Sequence, residues 1–288
     1  MNAPSSPFNI QRFLVPKTGS SSDECEDAID VSLSPDASSL FAAVSDGASE
    51  SLLAGAWARQ LVRGAVASMA AADDEPGNGQ DSLSPSGAFV EELLTRTVDQ
   101  WDGYISEYQA ERDARGQPIA WYERPGLEKG AFATLMAVHL RTAPAAPETS
   151  GAARRWIWRA FALGDSCLFH LRDGRLITSF PITDGHGFGI TPQLLGSRNR
   201  DAELISDRAS TATGELRTGD ELLLATDALA GWLLSHPEID SGGAGKQLGK
   251  LAGLDHETFT EWVRSERDKS RMRNDDVALI RMWVRTEG

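Results

Sequence analysis

Apolar and polar positions follow a period of two near the start of the chain and a helical period soon afterwards. Residues 29–33 alternate between apolar and polar side chains, which predicts a half-buried β-strand. Residues 34–38 (SPDAS) are typical of a turn, and the apolar run at 40–44 predicts a second strand. From residue 52 to about 72, apolar side chains recur every four positions, which predicts a helix with one buried face.

The rest of the chain continues with a second helix, a block of strands and two shorter helices. An apolar stripe predicts a helix over about 86–115. Strands are predicted at 131–140, 156–162, 166–171, 175–180, 222–225 and 277–284, and helices at about 229–235 and 257–269. Because strand blocks alternate with helix pairs rather than in a βαβα order, the pattern predicts an α+β protein with antiparallel sheets covered by helices.

Three segments show no clear period. Residues 183 to about 213 are rich in Gly, Ser and Thr, which indicates an irregular flap. Residues 73–85 and 142–153 are typical of flexible surface connections. Because the motifs described below lie on both sides of each connection, we expect residues 1–288 to form a single domain.

The composition is that of a globular protein. Of 288 residues, 41% are apolar and eight are Trp, which is enough to bury a substantial core. The chain has neither an apolar run near 18 residues nor the features of a signal peptide. With only two cysteines, it is expected to be a cytoplasmic protein with reduced thiols.

The formal net charge is −14. This charge argues against nucleic acid or an anionic membrane as the main partner, because both require a basic surface. An acidic soluble surface and a cation-binding site both fit the charge, so the positions of the acids must decide.

The predicted hairpin brings two acidic sites together. Glu26 and Asp27 begin its first strand, and Asp46 and Gly47 end its second. Both sites are about equally far from the turn, so antiparallel pairing places them at the same end of the sheet.

Two further acidic sites lie at strand ends late in the sequence. Asp227 follows the buried run 222–225, and Asp275 and Asp276 directly precede the last predicted strand. Aspartate is common at strand ends because it suits turns, so any one of these residues alone has a structural explanation. Together they form an all-oxygen ligand set that favours Mg²⁺ or Mn²⁺ over zinc, and the five histidines show neither HxH nor HExxH spacing.

The sequence around these acids resembles that of the metal-dependent protein phosphatases, the type 2C serine/threonine phosphatases. Five elements occur in the family's order and span residues 26 to 284, nearly the whole chain. They are Cys25-Glu26-Asp27-Ala28, Val44-Ser45-Asp46-Gly47, Ala162-Leu163-Gly164-Asp165-Ser166, Gly219-Asp220-Glu221 with the run to Asp227, and Asn274-Asp275-Asp276-Val277.

This resemblance implies a bacterial-type single-domain member with a four-layer α-β-β-α sandwich, in which two antiparallel sheets are flanked by helix pairs. It implies hydrolysis of phosphoserine and phosphothreonine in protein substrates, in signalling that includes a cognate Ser/Thr kinase. The reaction would use a bridging hydroxide on two Mn²⁺ or Mg²⁺ ions.

The resemblance also assigns roles to individual residues. Asp46 would bridge both metals, and Asp227 and Asp275 would complete one metal site. Glu26 and the carbonyl of Gly47 would complete the other. Asp27 and Asp276 would have supporting roles, Asp27 by orienting backbone or a metal-bound water.

The chain departs from the family pattern in two ways that affect function. The family's phosphate-binding arginine falls on Ser22, so Lys17 either replaces that contact or is a surface lysine. Asp165 matches one ligand of a third metal, but Gly231 stands at the position of its partner, so Asp165 is either a third-metal ligand or a hairpin residue. A small-molecule phosphomonoesterase and a pseudophosphatase that only binds therefore remain alternatives.

Overall fold

The computed structural model describes residues 6–74, 88–143, 155–185, 187–188, 192–235 and 255–285. Most of the two predicted surface connections, 73–85 and 142–153, lies outside these ranges. The strands are β1 (Phe8–Val15), β2 (Ala28–Leu33), β3 (Ser39–Ser45), β4 (Phe132–Ala133), β5 (Leu135–Thr142), β6 (Trp156–Leu163), β7 (Cys167–Arg172), β8 (Arg175–Phe180), β9 (Leu195–Gly196), β10 (Ser210–Leu216), β11 (Glu221–Ala225) and β12 (Val277–Val284). The helices are α1 (Ala54–Asp73), α2 (Ala88–Ala114), α3 (Arg124–Lys129), α4 (Ala202–Arg208), α5 (Asp227–Leu234) and α6 (His256–Asp268).

Ten of these strands form two five-stranded antiparallel sheets. The first has the order β1-β12-β11-β7-β8 and the second the order β10-β6-β5-β3-β2, while β4 and β9 pair separately. Alternate residues of both sheets meet in one buried cluster, which includes Leu40, Val138 and Trp158 from the second sheet and Leu224 and Ile280 from the first. The two sheets therefore pack face to face.

Each sheet carries a helix pair on its outer face. Phe41 and Ala43 of β3 pack with Trp57 of α1 and Trp101 of α2. On the other side, Leu223 of β11 belongs to a cluster with residues of α5 and α6. The order of layers is thus helices, sheet, sheet, helices, and the predicted α-β-β-α sandwich is confirmed.

The interpretation of residues 183–213 as an irregular flap is wrong in its second half. Residues 202–208 form α4, and β10 is an edge strand paired with β6 from Ser210↔Ala162 to Leu216↔Trp156. The Ser and Thr content that suggested a flap suits an edge strand. In the same strand, a Cβ on Gly214 would lie 2.5 Å from the Trp158 ring. A side chain there would collide with the indole, so the strand depends on glycine.

The hairpin of β2 and β3 has the predicted register. Ala28 pairs with Ser45 and Leu33 pairs with Leu40. The acids before β2 and after β3 therefore lie at the same end of the second sheet. In the described part of the chain, no helix is both long and apolar enough to cross a membrane.

Candidate metal centre

The end of β3 is fixed by Thr134, which lies between β4 and β5. The backbone amide of Asp46 donates to Thr134 Oγ1 at 3.0 Å, and the Thr134 amide donates to the Asp46 carbonyl at 2.8 Å. Thr134 Oγ1 also lies 2.8 Å from Ser166 Oγ, next to Asp165. This network holds Asp46 and the start of β7 together.

Gly47 stands where no side chain fits. A Cβ at this position would lie 2.8 Å from both the Ala54 carbonyl carbon and the Glu26 carbonyl oxygen. The glycine therefore lets the chain after Asp46 pass close to Glu26, as an Asp-Gly pair at a ligand site requires.

A second link connects the two sheets through Thr226, the residue before Asp227. Thr226 Oγ1 donates to Asp27 Oδ2 at 2.8 Å and accepts from the amide of Ala278 at 2.9 Å. Asp27 is buried, so its carboxylate binds the hydroxyl at the end of β11 across the sheet interface. This contact supports a positioning role for Asp27.

Asp276 is likewise buried and binds backbone. Its Oδ1 accepts from the amide of Lys17 at 2.6 Å, and its Oδ2 accepts from the amide of Glu26 at 2.8 Å. The carboxylate thus ties the start of β12 to the segment that presents Glu26.

Asp46 lies at the centre of the acidic group. Burial raises the pKa of Asp46 well above its ordinary value, and the charges of Asp27, Asp227, Asp165 and Asp275 raise it further. These five aspartates are therefore close enough for their charges to interact, although they come from five separate parts of the sequence.

Asp165 contributes a buried carboxylate oxygen that has no partner. Its Oδ1 makes no hydrogen bond with any described residue, and the side chain is 6% exposed. Burial, with the charge of Asp227, raises the pKa of Asp165 to about 6. A buried carboxylate of this kind requires a counter-ion or a proton.

Two basic side chains contact the carboxylates of Glu26, Asp227 and Asp275. Lys17 Nζ lies 3.1 Å from Glu26 Oε2, and Ser49 Oγ donates to the same oxygen. Arg273 Nη2 lies 2.7 Å from Asp227 Oδ2 and 3.3 Å from Asp275 Oδ2. Among the described residues, no group of three or more Asp, Glu, His or Cys side chains is arranged to hold a metal ion.

The charges of the region nevertheless fit divalent cations. Seven carboxyl groups face three cations, which leaves an excess of four negative charges at full ionisation, the charge of two divalent ions. The carboxyl groups are those of Glu26, Asp27, Asp46, Asp165, Asp227, Asp275 and Asp276, and the cations are Lys17, Arg267 and Arg273. All the donors are hard oxygens, which suits Mg²⁺ or Mn²⁺.

Sequence reasoning missed Arg273, Ser49 and Thr226. Thr226 had a readable signal, since a hydroxyl residue precedes Asp227 in the matching motif. Arg273 lies two residues before Asp275, but its sequence position does not show that it also reaches Asp227. Ser49 has no comparable signal.

Neither cysteine is placed for nucleophilic chemistry. Cys25 and Cys167 are free and buried, and burial raises the pKa of each thiol to about 12. Both are therefore protonated thiols at neutral pH.

Solved structures with a similar fold include bacterial serine phosphatases. A bacterial serine phosphatase variant, in which lysine replaces one arginine, has a TM-score of 0.53 and 14% identity, over 98% of this chain and 99% of that chain. A bacterial serine phosphatase without a named mutation gives a TM-score of 0.51 with the same identity and coverage. The catalytic domain of the serine/threonine phosphatase PstP, solved in complex with two manganese ions, is a more distant match, with a TM-score of 0.45 and 18% identity over 97% of this chain and 99% of that chain.

Comparison with models of protein families gives no match, and comparison with curated proteins gives none either. The similarity therefore concerns the fold, since identities this low do not establish activity. The chain has the fold of the bacterial serine phosphatases, as the resemblance of its five motifs to the metal-dependent protein phosphatases predicts.

Proposed function

We propose that this chain is a metal-dependent phosphatase that hydrolyses phosphoserine and phosphothreonine in protein substrates. The observation that supports it most is the group of aspartates around Asp46 at one end of a phosphatase-like sandwich. Asp27, Asp165 and Asp227 are buried, which carries a cost that divalent cations would relieve.

In this proposal Asp46 contributes to both metal positions, Asp227 and Asp275 to one, and Glu26 with the Gly47 carbonyl to the other. Two Mn²⁺ or Mg²⁺ ions, when bound, supply an acidified water and stabilise charge on the phosphoryl oxygens. Asp276 holds the backbone of Glu26, and Asp27 holds the end of β11 through Thr226.

The two cations of the site would serve the substrate. Lys17 contacts Glu26, and Arg273 contacts Asp227 and Asp275, so both cations stand beside the proposed metal ligands, where a phosphoryl group would approach. Either could take the place of the family's arginine, which falls here on Ser22. The substrates would be products of a Ser/Thr kinase in the same cytoplasmic signalling system.

A second candidate is a pseudophosphatase that binds phosphoproteins without turnover. It is favoured by Ser22 at the arginine position and by the ion pairs that engage Glu26, Asp227 and Asp275. The two candidates differ in turnover.

The test is hydrolysis of para-nitrophenyl phosphate and of a phosphoserine peptide with Mn²⁺, Mg²⁺ or chelator. We expect wild-type activity with Mn²⁺ or Mg²⁺ that chelator removes. Asp46→Asn should reduce turnover by roughly a thousandfold or more, because both metal positions lose a ligand. Asp36→Asn is the matched control, since this exposed residue lies in the turn at the other end of the same hairpin.

The remaining outcomes separate the alternatives. Activity on para-nitrophenyl phosphate without activity on peptides would assign a small-molecule phosphatase. Inactivity with every metal, together with metal and phosphopeptide binding, would assign the pseudophosphatase. Full turnover in chelator would exclude the metal-dependent mechanism.

A further inference from the structure

An open groove of about 580 Å³ lies between α1 and α2, on the outer helix layer. Both helices line it with one face. The lining residues are Ala56, Arg59, Gln60, Arg63, Gly64 and Ala67 of α1, and Arg96, Gln100, Gly103, Tyr104 and Glu107 of α2. We refer to this feature as the α1–α2 groove.

The groove is locally basic in a strongly acidic chain. Three arginines and one glutamate line it, whereas the whole chain carries a net charge of −14. Arg96 forms an ion pair with Glu92, but Arg63 is exposed and makes no hydrogen bond or ion pair within the described ranges. Arg59 makes one long hydrogen bond, 3.4 Å, to the Cys25 carbonyl. Most donors of Arg59 and Arg63 are therefore available.

The spacing of these two arginines does not stabilise helix α1. Arg59 and Arg63 are four residues apart on α1, so they lie side by side on its surface. Like charges at this spacing repel each other and destabilise a helix. A ligand of opposite charge would offset this repulsion.

Gly103 keeps the groove open. It lies inside the 27-residue helix α2, where glycine is less favourable than alanine. A Cβ on Gly103 would have nothing within 4 Å, so packing does not require the glycine. Gly64, by contrast, is required, because its Cβ would lie 2.3 Å from Thr97 Cγ2.

The donors match a phosphoryl group on a peptide. Adjacent guanidinium groups can bind one dianion through several charge-assisted hydrogen bonds. Gln100 adds an amide, and Tyr104, stacked on Trp101 with ring centroids 4.9 Å apart, forms a rigid wall. The small residues on the floor leave room for a peptide backbone beside the phosphate.

We propose that the α1–α2 groove binds a phosphoserine- or phosphothreonine-containing segment of a protein partner, at a site separate from the carboxylate centre. The groove adjoins that centre through Arg59, which bonds to the residue before Glu26. A phosphoprotein could thereby be anchored without approaching the acidic centre. The proposal does not depend on turnover.

The test is fluorescence anisotropy with a labelled phosphoserine peptide, using full-length Asp46→Asn protein in chelator. This background removes turnover and metal-dependent binding, so the groove variants show how much of the remaining binding belongs to the groove. We expect Arg59→Glu and Arg63→Glu each to weaken binding at least tenfold. Arg115→Glu, a charge reversal at the end of α2 outside the groove, should leave it unchanged.

Gly103→Leu provides an independent variant that leaves the arginines intact. It should weaken binding while the melting temperature stays equal or rises, because leucine favours the helix and fills only the groove. Equal binding by wild type and the groove variants would overturn the proposal, as would equal loss with Arg115→Glu. Binding of the unphosphorylated peptide, or displacement by inorganic phosphate at the peptide's own concentration, would also overturn it.

Discussion

Arg273 contacts two proposed metal ligands at once. Its guanidinium is 2.7 Å from the Asp227 carboxylate and 3.3 Å from the Asp275 carboxylate. These ion pairs partly offset the free-energy cost of placing the two carboxylates in this region. A divalent cation that binds both carboxylates has to compete with this guanidinium. Arg273 is therefore expected to set metal affinity as well as to face the substrate.

Arg273→Ala should tighten Mn²⁺ binding, because the competing cation is gone. The gain should be a few-fold, up to about tenfold, because the Arg273 side chain is exposed and its ion pairs are therefore weak. Isothermal titration calorimetry measures this directly. Arg271→Ala is the control, since Arg271 pairs with Glu266 and not with the site. Weaker Mn²⁺ binding in Arg273→Ala would contradict the competition.

Asp165 tests the third metal. Asp165→Asn should lower kcat by less than about tenfold, because Gly231 stands where a third-metal carboxylate is expected. Asp227→Asn and Asp275→Asn should each lower kcat more than about a hundredfold. The measurement is steady-state kinetics on a phosphopeptide with Mn²⁺. An inactive Asp165→Asn would show that Asp165 binds a metal needed for turnover.

Lys17 is tested in the same assay. Lys17→Ala should raise KM more than it lowers kcat if its ammonium contacts the substrate phosphate. Ser49→Ala is the comparison, because it removes the other partner of the same Glu26 oxygen without removing a charge. Equal effects of both variants would assign Lys17 to holding Glu26 instead.

The positions of the candidate ligands could be predicted from the sequence, but their partners could not. An acid that follows a strand lies at one end of its sheet, so the positions of Asp46 and Asp227 in the fold were predictable. The two amides bound by Asp276 and the two carboxylates bound by Arg273 depend on side-chain direction, which sequence spacing does not encode.

Helices and strands with one unbroken hydrophobic period were predicted from the sequence, and strands with a broken period were not. The β2–β3 hairpin and helices α1 and α2 follow one period throughout, and the structure confirms them. Strand β1 was missed because its buried positions change phase, from Phe8 to Phe13 and Val15. Strand β10 was missed because its edge position favours Ser, Thr and Gly over branched apolar residues.

Strand β5 carries a histidine that links its packing to pH. His139 is buried against Phe41, with ring centroids 4.8 Å apart, and burial lowers its pKa to about 4 although Asp73 opposes the shift. The unfolded chain binds this proton near pH 6.5, so stability is present above that pH and is lost as the pH falls towards 4. The loss is about 3 kcal/mol.

His139→Phe should therefore reduce the fall in unfolding free energy between pH 7 and pH 4.5, while the aromatic contact with Phe41 is kept. Urea unfolding at several pH values measures this change. His256→Gln, an exposed histidine, should retain the wild-type pH dependence. An unchanged slope in His139→Phe would mean that other groups cause the acid sensitivity.

For the whole molecule, an acidic chain with a buried carboxylate group should be stabilised by divalent cations. Mn²⁺ at about a hundredfold above its Kd should add about 2.7 kcal/mol. For 288 residues, whose unfolding entropy is about 0.6 kcal/mol/K, that is a rise in Tm of roughly 4–5 °C. Differential scanning fluorimetry should show the rise for wild type and Asp36→Asn but not for Asp46→Asn. An equal rise in Asp46→Asn would place the metal elsewhere.

The pairing of β1 with β12 has a consequence for how this protein is made. Phe8 lies opposite Val284, so the edge strand of the first sheet has its neighbour near the other end of the sequence. During translation, β1 leaves the ribosome long before β12 exists, and the two strands cannot pair until β12 has been synthesised. Contacts this far apart in sequence slow folding. Until then, Phe8 and Phe13 lack their native neighbours on β12, so their apolar side chains are open to wrong contacts in the nascent chain.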